Sequence, residues 1–259
     1  GQDNIKTSIW KLRVDIHNPV FVISGGLVIL FVLYALFFKE HASGFFPDLR
    51  ATVTSNFDWL FLGGANILVL FCLFLIISPW GKIRLGGQEA TPDFSYPGWF
   101  AMLFAAGMGI GLMFYGVSEP VSHYNSAYAG ITVGDDGVRS DYAPLGAAEG
   151  DAEGARKLGM AATVFHWGLH PWAIYAVLAL ALALFSYNKG LPLTIRSAFY
   201  PLFGERVWGW TGHIIDVVAV FATLFGLATS LGIGAQQANA GLGEVFSMPI
   251  GAGWQSVLI

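Results

Sequence analysis

Residues 96–117, YPGWFAMLFAAGMGIGLMFYGV, carry no charged side chain, and about 20 apolar residues in a helix are what it takes to cross a bilayer's hydrocarbon core. Apolar chain long enough for the same purpose recurs at residues 19–38, 59–80, 160–187 and 213–236, and a further run opens near Trp254. The repetition predicts an all-α membrane protein with several spans. Composition agrees, since 55% of the 259 residues are hydrophobic and only 12% charged, against roughly a quarter charged in soluble domains. The first run is long, begins well inside the sequence and shows no small-residue cleavage pattern, so it reads as a spanning anchor and not a secretory leader. A net charge of -4 offers no basic footprint, and no nucleic-acid partner is expected. The one cysteine, Cys72, sits in an apolar run and reads as a small packing residue.

Charge between the runs sets an orientation. Lys6, Lys11, Arg13, Lys82, Arg84, Lys189, Arg196 and Arg206 fall on one side, and Lys39, Arg50, Arg139, Arg156 and Lys157 on the other. The positive-inside rule then places the N-terminus in the cytoplasm. Residues 118–159 are the one long polar stretch, with Glu119, Asp135, Asp136, Asp141, Glu149, Asp151 and Glu153 among them. They are expected to form a mobile, solvated external loop.

Two stretches depart from an ordinary lipid-facing helix. In Gly107-Met108-Gly109-Ile110-Gly111, three glycines alternate in mid-span, each costing about 1 kcal/mol of helix propensity against alanine. Gly107 and Gly111, four apart, suit close helix packing. Gly109 is left over by that reading, and the alternative is an unwound segment whose backbone groups line a cavity. The second stretch is Phe165-His166-Trp167-Gly168-Leu169-His170-Pro171-Trp172-Ala173-Ile174-Tyr175. On a continuous helix, Trp172 lies about 140° and Tyr175 about 80° from Trp167, so the three rings share one broad arc. Ring faces so grouped attract a cation, at roughly 0.5–2 kcal/mol per contact. An interfacial aromatic belt is the other reading, and the spacing leaves both open. Pro171 has no N–H, so the carbonyl of Trp167 loses its helical partner and the helix can bend there. His166 and His170 have the four-residue spacing of a zinc site, but Trp167 stands where a catalytic glutamate is needed and no acid is evident nearby in sequence. A membrane-embedded metal-dependent hydrolase is therefore the rival reading from another class. A passive channel and a proton-linked role for the histidines are further rivals.

Several separated motifs together resemble the betaine/choline/carnitine transporter family: Gly107 through Gly116 (GMGIGLMFYG), Ser118-Glu119-Pro120, His166-Trp167-Gly168 with Trp172 and Tyr175, Pro79 through Gly86 (PWGKIRLG), and Phe221-Ala222-Thr223-Leu224-Phe225-Gly226 followed by Ser230-Leu231-Gly232. The likeness covers nearly the whole chain. It implies an inverted-repeat transporter fold built from five-helix repeats. Residues 1–17 would be a cytoplasmic N-terminal segment and 18–95 two peripheral spans. Residues 96–259 would start the first repeat, with spans three to five, the beginning of span six and the external loop 118–159.

By the same resemblance, Trp167, Trp172 and Tyr175 would hold a trimethylammonium head, and the backbone of Gly107, Met108, Gly109 and Gly111 would lie near the substrate carboxylate. Family members that carry choline tend to have aspartate at the position of Gly111, so glycine there favours a zwitterion. Sodium, the coupling ion in place of any cofactor, would bind backbone carbonyls of Ala105 and Met108. Thr223 matches one ligand of a second sodium position, while Leu227 occupies the place of the other and cannot supply an oxygen. The implied activity is sodium-coupled import of a glycine betaine-like zwitterion by alternating access, with no enzymatic chemistry. The setting would be a bacterial inner membrane, with the lipid bilayer as partner and, as is common in the family, a homotrimer. A proton-coupled or exchange-type carrier of choline or carnitine is the alternative within the family.

Overall fold

The computed structural model of the chain describes residues 4–9, 12–107, 109–134 and 143–259. In chain order these form strands β1 (Asn4–Ile9) and β2 (Leu12–His17) and helices α1 (Asn18–Phe37), α2 (Lys39–Ile77), α3 (Tyr96–Gly107), α4 (Gly109–Ala129), α5 (Ala152–Trp167), α6 (Leu169–Ala183), α7 (Ile195–Ala198), α8 (Tyr200–Phe203), α9 (Trp210–Phe246) and α10 (Ala252–Leu258). Among the described residues, four stretches are helical, long and apolar enough to cross a membrane: Asn18–Phe37, Lys39–Ile77, Ala152–Asn188 and Trp210–Phe246. The remaining expected span, 96–117, is covered by α3 and α4 on either side of Met108, which lies outside the described residues. The chain divides into two compact units, Gly1–Ala90 with Ala173–Leu224 and Thr91–Trp172 with Phe225–Ile259.

In the first unit, β1 and β2 pair antiparallel with Asn4 opposite His17 and Ile9 opposite Leu12, so the expected plain N-terminal segment contains a hairpin. His17 leads directly into α1, where Pro19 occupies the first turn and loses no helical bond. One residue, Phe38, separates α1 from α2. At about 1.5 Å per residue, α2 is roughly 58 Å long, near twice the hydrocarbon thickness. The apolar run beginning at Trp59 marks only its C-terminal half. Its N-terminal half carries Lys39, Glu40, Asp48, Arg50 and Asp58, because polarity changes the solvent a helix prefers without ending it. After α2, the Gly86 N–H donates to Asn188 Oδ1 at 2.9 Å and Asn188 Nδ2 donates to the Arg84 carbonyl at 3.0 Å. The segments that follow the second and fourth spans are thus tied together, as two connections on one side of a membrane would be.

Arg196, counted from sequence as a loop cation, is 5% exposed. Its backbone N–H and Nε donate to Asp216 Oδ1 and Oδ2 at 3.1 and 2.6 Å, and its Nη2 lies 3.1 Å from His17 Nε2 and 3.2 Å from His213 Nδ1. A buried guanidinium is tolerated only when paired in this way. The cluster joins the hairpin end, α7 and α9, and it borders a cavity of about 960 Å³ that Thr194 and Thr223 also line.

In the second unit, α5 starts at Asp151, whose carboxylate accepts from the N–H groups of Glu153 and Gly154, both at 3.1 Å. Ala155, Gly159 and Ala162 are buried along one face of α5. A Cβ added at Gly159 would sit 2.8 Å from the backbone nitrogen of Tyr124 and 3.0 Å from its Cα. The two helices therefore touch main chain to main chain, as small-residue faces allow in membranes. The reading of 118–159 as one solvated loop is corrected here: α4 continues to Ala129 and α5 begins at Ala152. Of the residues between, Ala143 is 3% exposed against Ala127 and Ala155, and the Ala148 and Gly150 N–H groups donate to the carbonyls of Ala127 and Tyr128. Ala127, Ala143, Ala155 and Gly159, all within this stretch, are packing residues.

Span four is broken within this unit. α5 ends at Trp167 and α6 starts at Leu169, with Gly168 at φ -78° and ψ -138°. A Cβ at Gly168 would meet the Val164 carbonyl oxygen at 2.9 Å. The arc drawn through Trp167, Trp172 and Tyr175 assumed an unbroken helix, and Gly168 removes that assumption.

Two stability measurements on the purified intact protein check this account. Gly159→Ala should lower the melting temperature although alanine is the better helix former, because a methyl group there must push α4 away; overpacking costs about 1–3 kcal/mol. Gly63→Ala, which meets nothing within 4 Å, should not lower it. Asp216→Ala strands the Arg196 guanidinium and should destabilise by about 3–5 kcal/mol, with part of the loss recovered in Asp216→Leu/Arg196→Leu.

Candidate functional site

The residues of the second unit converge on Trp167, the last residue of α5. A Cβ at Gly111 in α4 would stand 3.6 Å from Cη2 of the Trp167 ring, an ordinary contact distance, so the Cη2 end of the indole lies beside this turn of α4. The Tyr115 ring, one turn further along α4, has its centroid 6.2 Å from that of Trp167. The Trp167 carbonyl, deprived by Pro171 of its i+4 donor, accepts from Nε1 of Trp172 at 3.0 Å. The orphaned acceptor is thus paired by the second tryptophan of the motif, and the loss of one helical bond links two candidate residues. Tyr175, on α6 and 56% exposed, belongs to the other compact unit.

The polar edge of the indole points at a residue that sequence reading put in solvent. Glu119 is 7% exposed. Its Oε2 accepts from Trp167 Nε1 at 2.6 Å, and its Oε1 lies 2.5 Å from His166 Nδ1 and 3.2 Å from His123 Nε2. An ionised carboxylate only accepts, so all three nitrogens donate to it, and neither histidine needs to be charged to do so. The absence of an acid near His166, used above against a metal site, is therefore corrected: Glu119 is that neighbour. Even so, no group of three His, Cys, Asp or Glu among the described residues is placed to hold a metal ion, and the His170 ring packs on Phe165 at 5.0 Å. Glu119 was visible as part of Ser118-Glu119-Pro120 and as the i,i+4 partner of His123. Both signals lead to it once α4 is extended past Val117.

The other expected site residues fall as follows. Gly107 closes α3 and Gly109 opens α4. Ile110 and Gly111 continue α4, so the unwinding expected over Gly107 to Gly111 is not seen at Gly107 or at Gly109 to Gly111, which are helical, and Met108 alone lies outside the described residues. Ala105 is an exposed residue of α3. On α9, the Thr223 hydroxyl donates to the Ala219 carbonyl at 2.8 Å, which leaves its oxygen lone pairs for another partner, and Leu227 is 52% exposed.

A half-buried indole whose N–H and carbonyl are both answered presents a ring surface that can hold a cation. Comparison with known proteins agrees with that chemistry. A family profile described as BCCT, betaine/carnitine/choline family transporter, matches residues 19–259. Over its whole length the chain is 60% identical to the glycine betaine/proline/choline transporter of Vibrio parahaemolyticus, of which it covers 47%. It is 54% identical to glycine betaine transporter 1 of the same species, covering 46% of it. Over 93% of its residues it is 42% identical to the glycine betaine transporter OpuD of Bacillus subtilis, covering 44% of that protein. The chain thus spans less than half the length of these relatives. By the extent of these matches, the chain belongs to the betaine/carnitine/choline transporter family, a family of membrane carriers and not of enzymes.

Proposed function

We propose that the chain forms the first part of a secondary carrier importing a small quaternary-ammonium or sulfonium zwitterion of the glycine betaine type. The observation that carries this reading is the Trp167 ring laid against Gly111, with Trp172 hydrogen-bonded to its carbonyl. The relatives named for glycine betaine transport support the substrate class. In the proposed site Trp167, Trp172 and Tyr175 hold the cationic head through their ring faces, and the backbone of Gly107 to Gly111 approaches the carboxylate. The pocket binds and orients, and no covalent step is involved.

Sodium coupling belongs to the same proposal, through the carbonyls of Ala105 and Met108. Thr223 alone would be a poor second site, because Leu227 has no oxygen to offer a hard cation. Transport would proceed by alternating access of an inverted-repeat core in the bacterial inner membrane, with a cytoplasmic N-terminus; a homotrimer rests on family resemblance alone. A proton-coupled carrier is the second reading, and the buried Glu119 with its two histidines is the observation in its favour.

Uptake and binding in proteoliposomes holding the intact protein test both parts. Replacing Trp167, Trp172 or Tyr175 with leucine should weaken glycine betaine binding about two- to thirtyfold per ring, and unchanged affinity in Trp172→Leu would remove that ring from the site. Uptake should require sodium with a Hill coefficient nearer one than two and little response to Thr223→Ala. Two sodium ions per substrate, abolished by Thr223→Ala, would contradict the reading of Leu227, and full uptake on a proton gradient without sodium would select the second reading.

A further inference from the structure

We infer that Glu119 is a positioning residue for the substrate site, fixing the rotation of the Trp167 ring about its side-chain bonds through the indole N–H. This rests on the proposed role of Trp167 in holding the cationic head. An indole is held in its plane by contacts on its faces, and rotation within that plane or about its side-chain bonds is limited by whatever grips Nε1. Here the grip is a carboxylate oxygen at 2.6 Å, within the short range of charge-assisted bonds. The carboxylate is itself fixed, since its other oxygen is shared by His166 Nδ1 and His123 Nε2 and the side chain is 7% exposed.

The helix geometry makes the arrangement costly to mimic otherwise. Glu119 and His123 are one turn apart on α4, His166 and Trp167 are adjacent at the end of α5, and the main-chain contact at Gly159 sets the distance between the two helices. The ring face is free of this polar work. Gly111 stands beside the Cη2 end of the ring, and a ring face is what a quaternary ammonium would meet. Misaligning the ring adds and removes no charge of its own while weakening the contact with the cation. Glu119 is thus expected to act through Trp167 and not on the substrate's own charge.

A double-mutant cycle on the intact protein separates this from a general structural role. Trp167→Phe keeps a ring face but has no N–H, so it removes the bond from the aromatic side. Glu119→Leu should weaken glycine betaine binding roughly fivefold or more in the wild-type background and by less than about twofold in Trp167→Phe. In Glu119→Gln, the amide oxygen can still accept the indole N–H while the amide N–H groups donate to both histidines in their other tautomers, so affinity should stay within about twofold of wild type. Losses that simply add across the cycle, or a Gln variant as weak as the Leu variant, overturn the inference. If Trp167→Leu itself leaves binding unchanged, the proposed aromatic site fails instead, which is a distinct result. Should Glu119→Leu fail to fold, the indole N–H resonance of Trp167 decides the matter in the otherwise unaltered protein. Assigned by its loss in Trp167→Phe, it should be shifted downfield and protected from exchange, and free exchange at that N–H overturns the inference.

Discussion

Gly159 against the backbone of Tyr124 is the contact on which the described site depends. A side chain at that position would have to displace main-chain atoms of α4. Because nothing separates the helices, Glu119 reaches across to His166 and Trp167, and Gly111 lies beside the Cη2 end of the same tryptophan. Lipid offers no hydrophobic drive for helices to associate, so close packing by small residues and polar bonds between helices must supply it. Here both occur on one pair of helices, within two turns of each other.

Trp167 consequently has little freedom. Its ring rests by Gly111, its N–H is taken by Glu119, and its carbonyl, released by Pro171, is taken by Trp172. A group fixed in advance costs less to order when a ligand arrives, which is how a few modest cation–π contacts can yield useful affinity. The other compact unit solves a similar problem separately. Arg196, on α7, is buried beside the first turns of α9, and Asp216 together with two histidines surrounds it, so its charge too is answered locally.

Hydropathy marked the spans well because lipid demands apolar length, and it marked them as solvent preference, not as helix extent. That is why the apolar run from Trp59 was legible while the polar first half of α2 was not, and why Ser118 to Ala129 was assigned to a loop. Glu119 was misplaced for the same reason: a carboxylate reads as solvated unless its donors are known, and His166 and Trp167 lie far from it in sequence. The aromatic motif and its glycines were legible as residues, yet their arrangement was not. The wheel through Trp167 and Trp172 failed at Gly168, where ψ is -138° and a Cβ would meet the Val164 carbonyl oxygen. Pro171 did foretell the freed carbonyl, but nothing in the sequence named Trp172 as the donor that replaces the missing one.

The central claim is that the prepared face of Trp167 meets the substrate's cationic head. A density map of the intact protein with glycine betaine bound tests it most directly. The account predicts the ammonium nitrogen within about 6 Å of the Trp167 ring centroid, with Glu119 still on the indole N–H and not on the ligand. A substrate seated away from Trp167, or one whose ammonium is held by the Glu119 carboxylate itself, would contradict it.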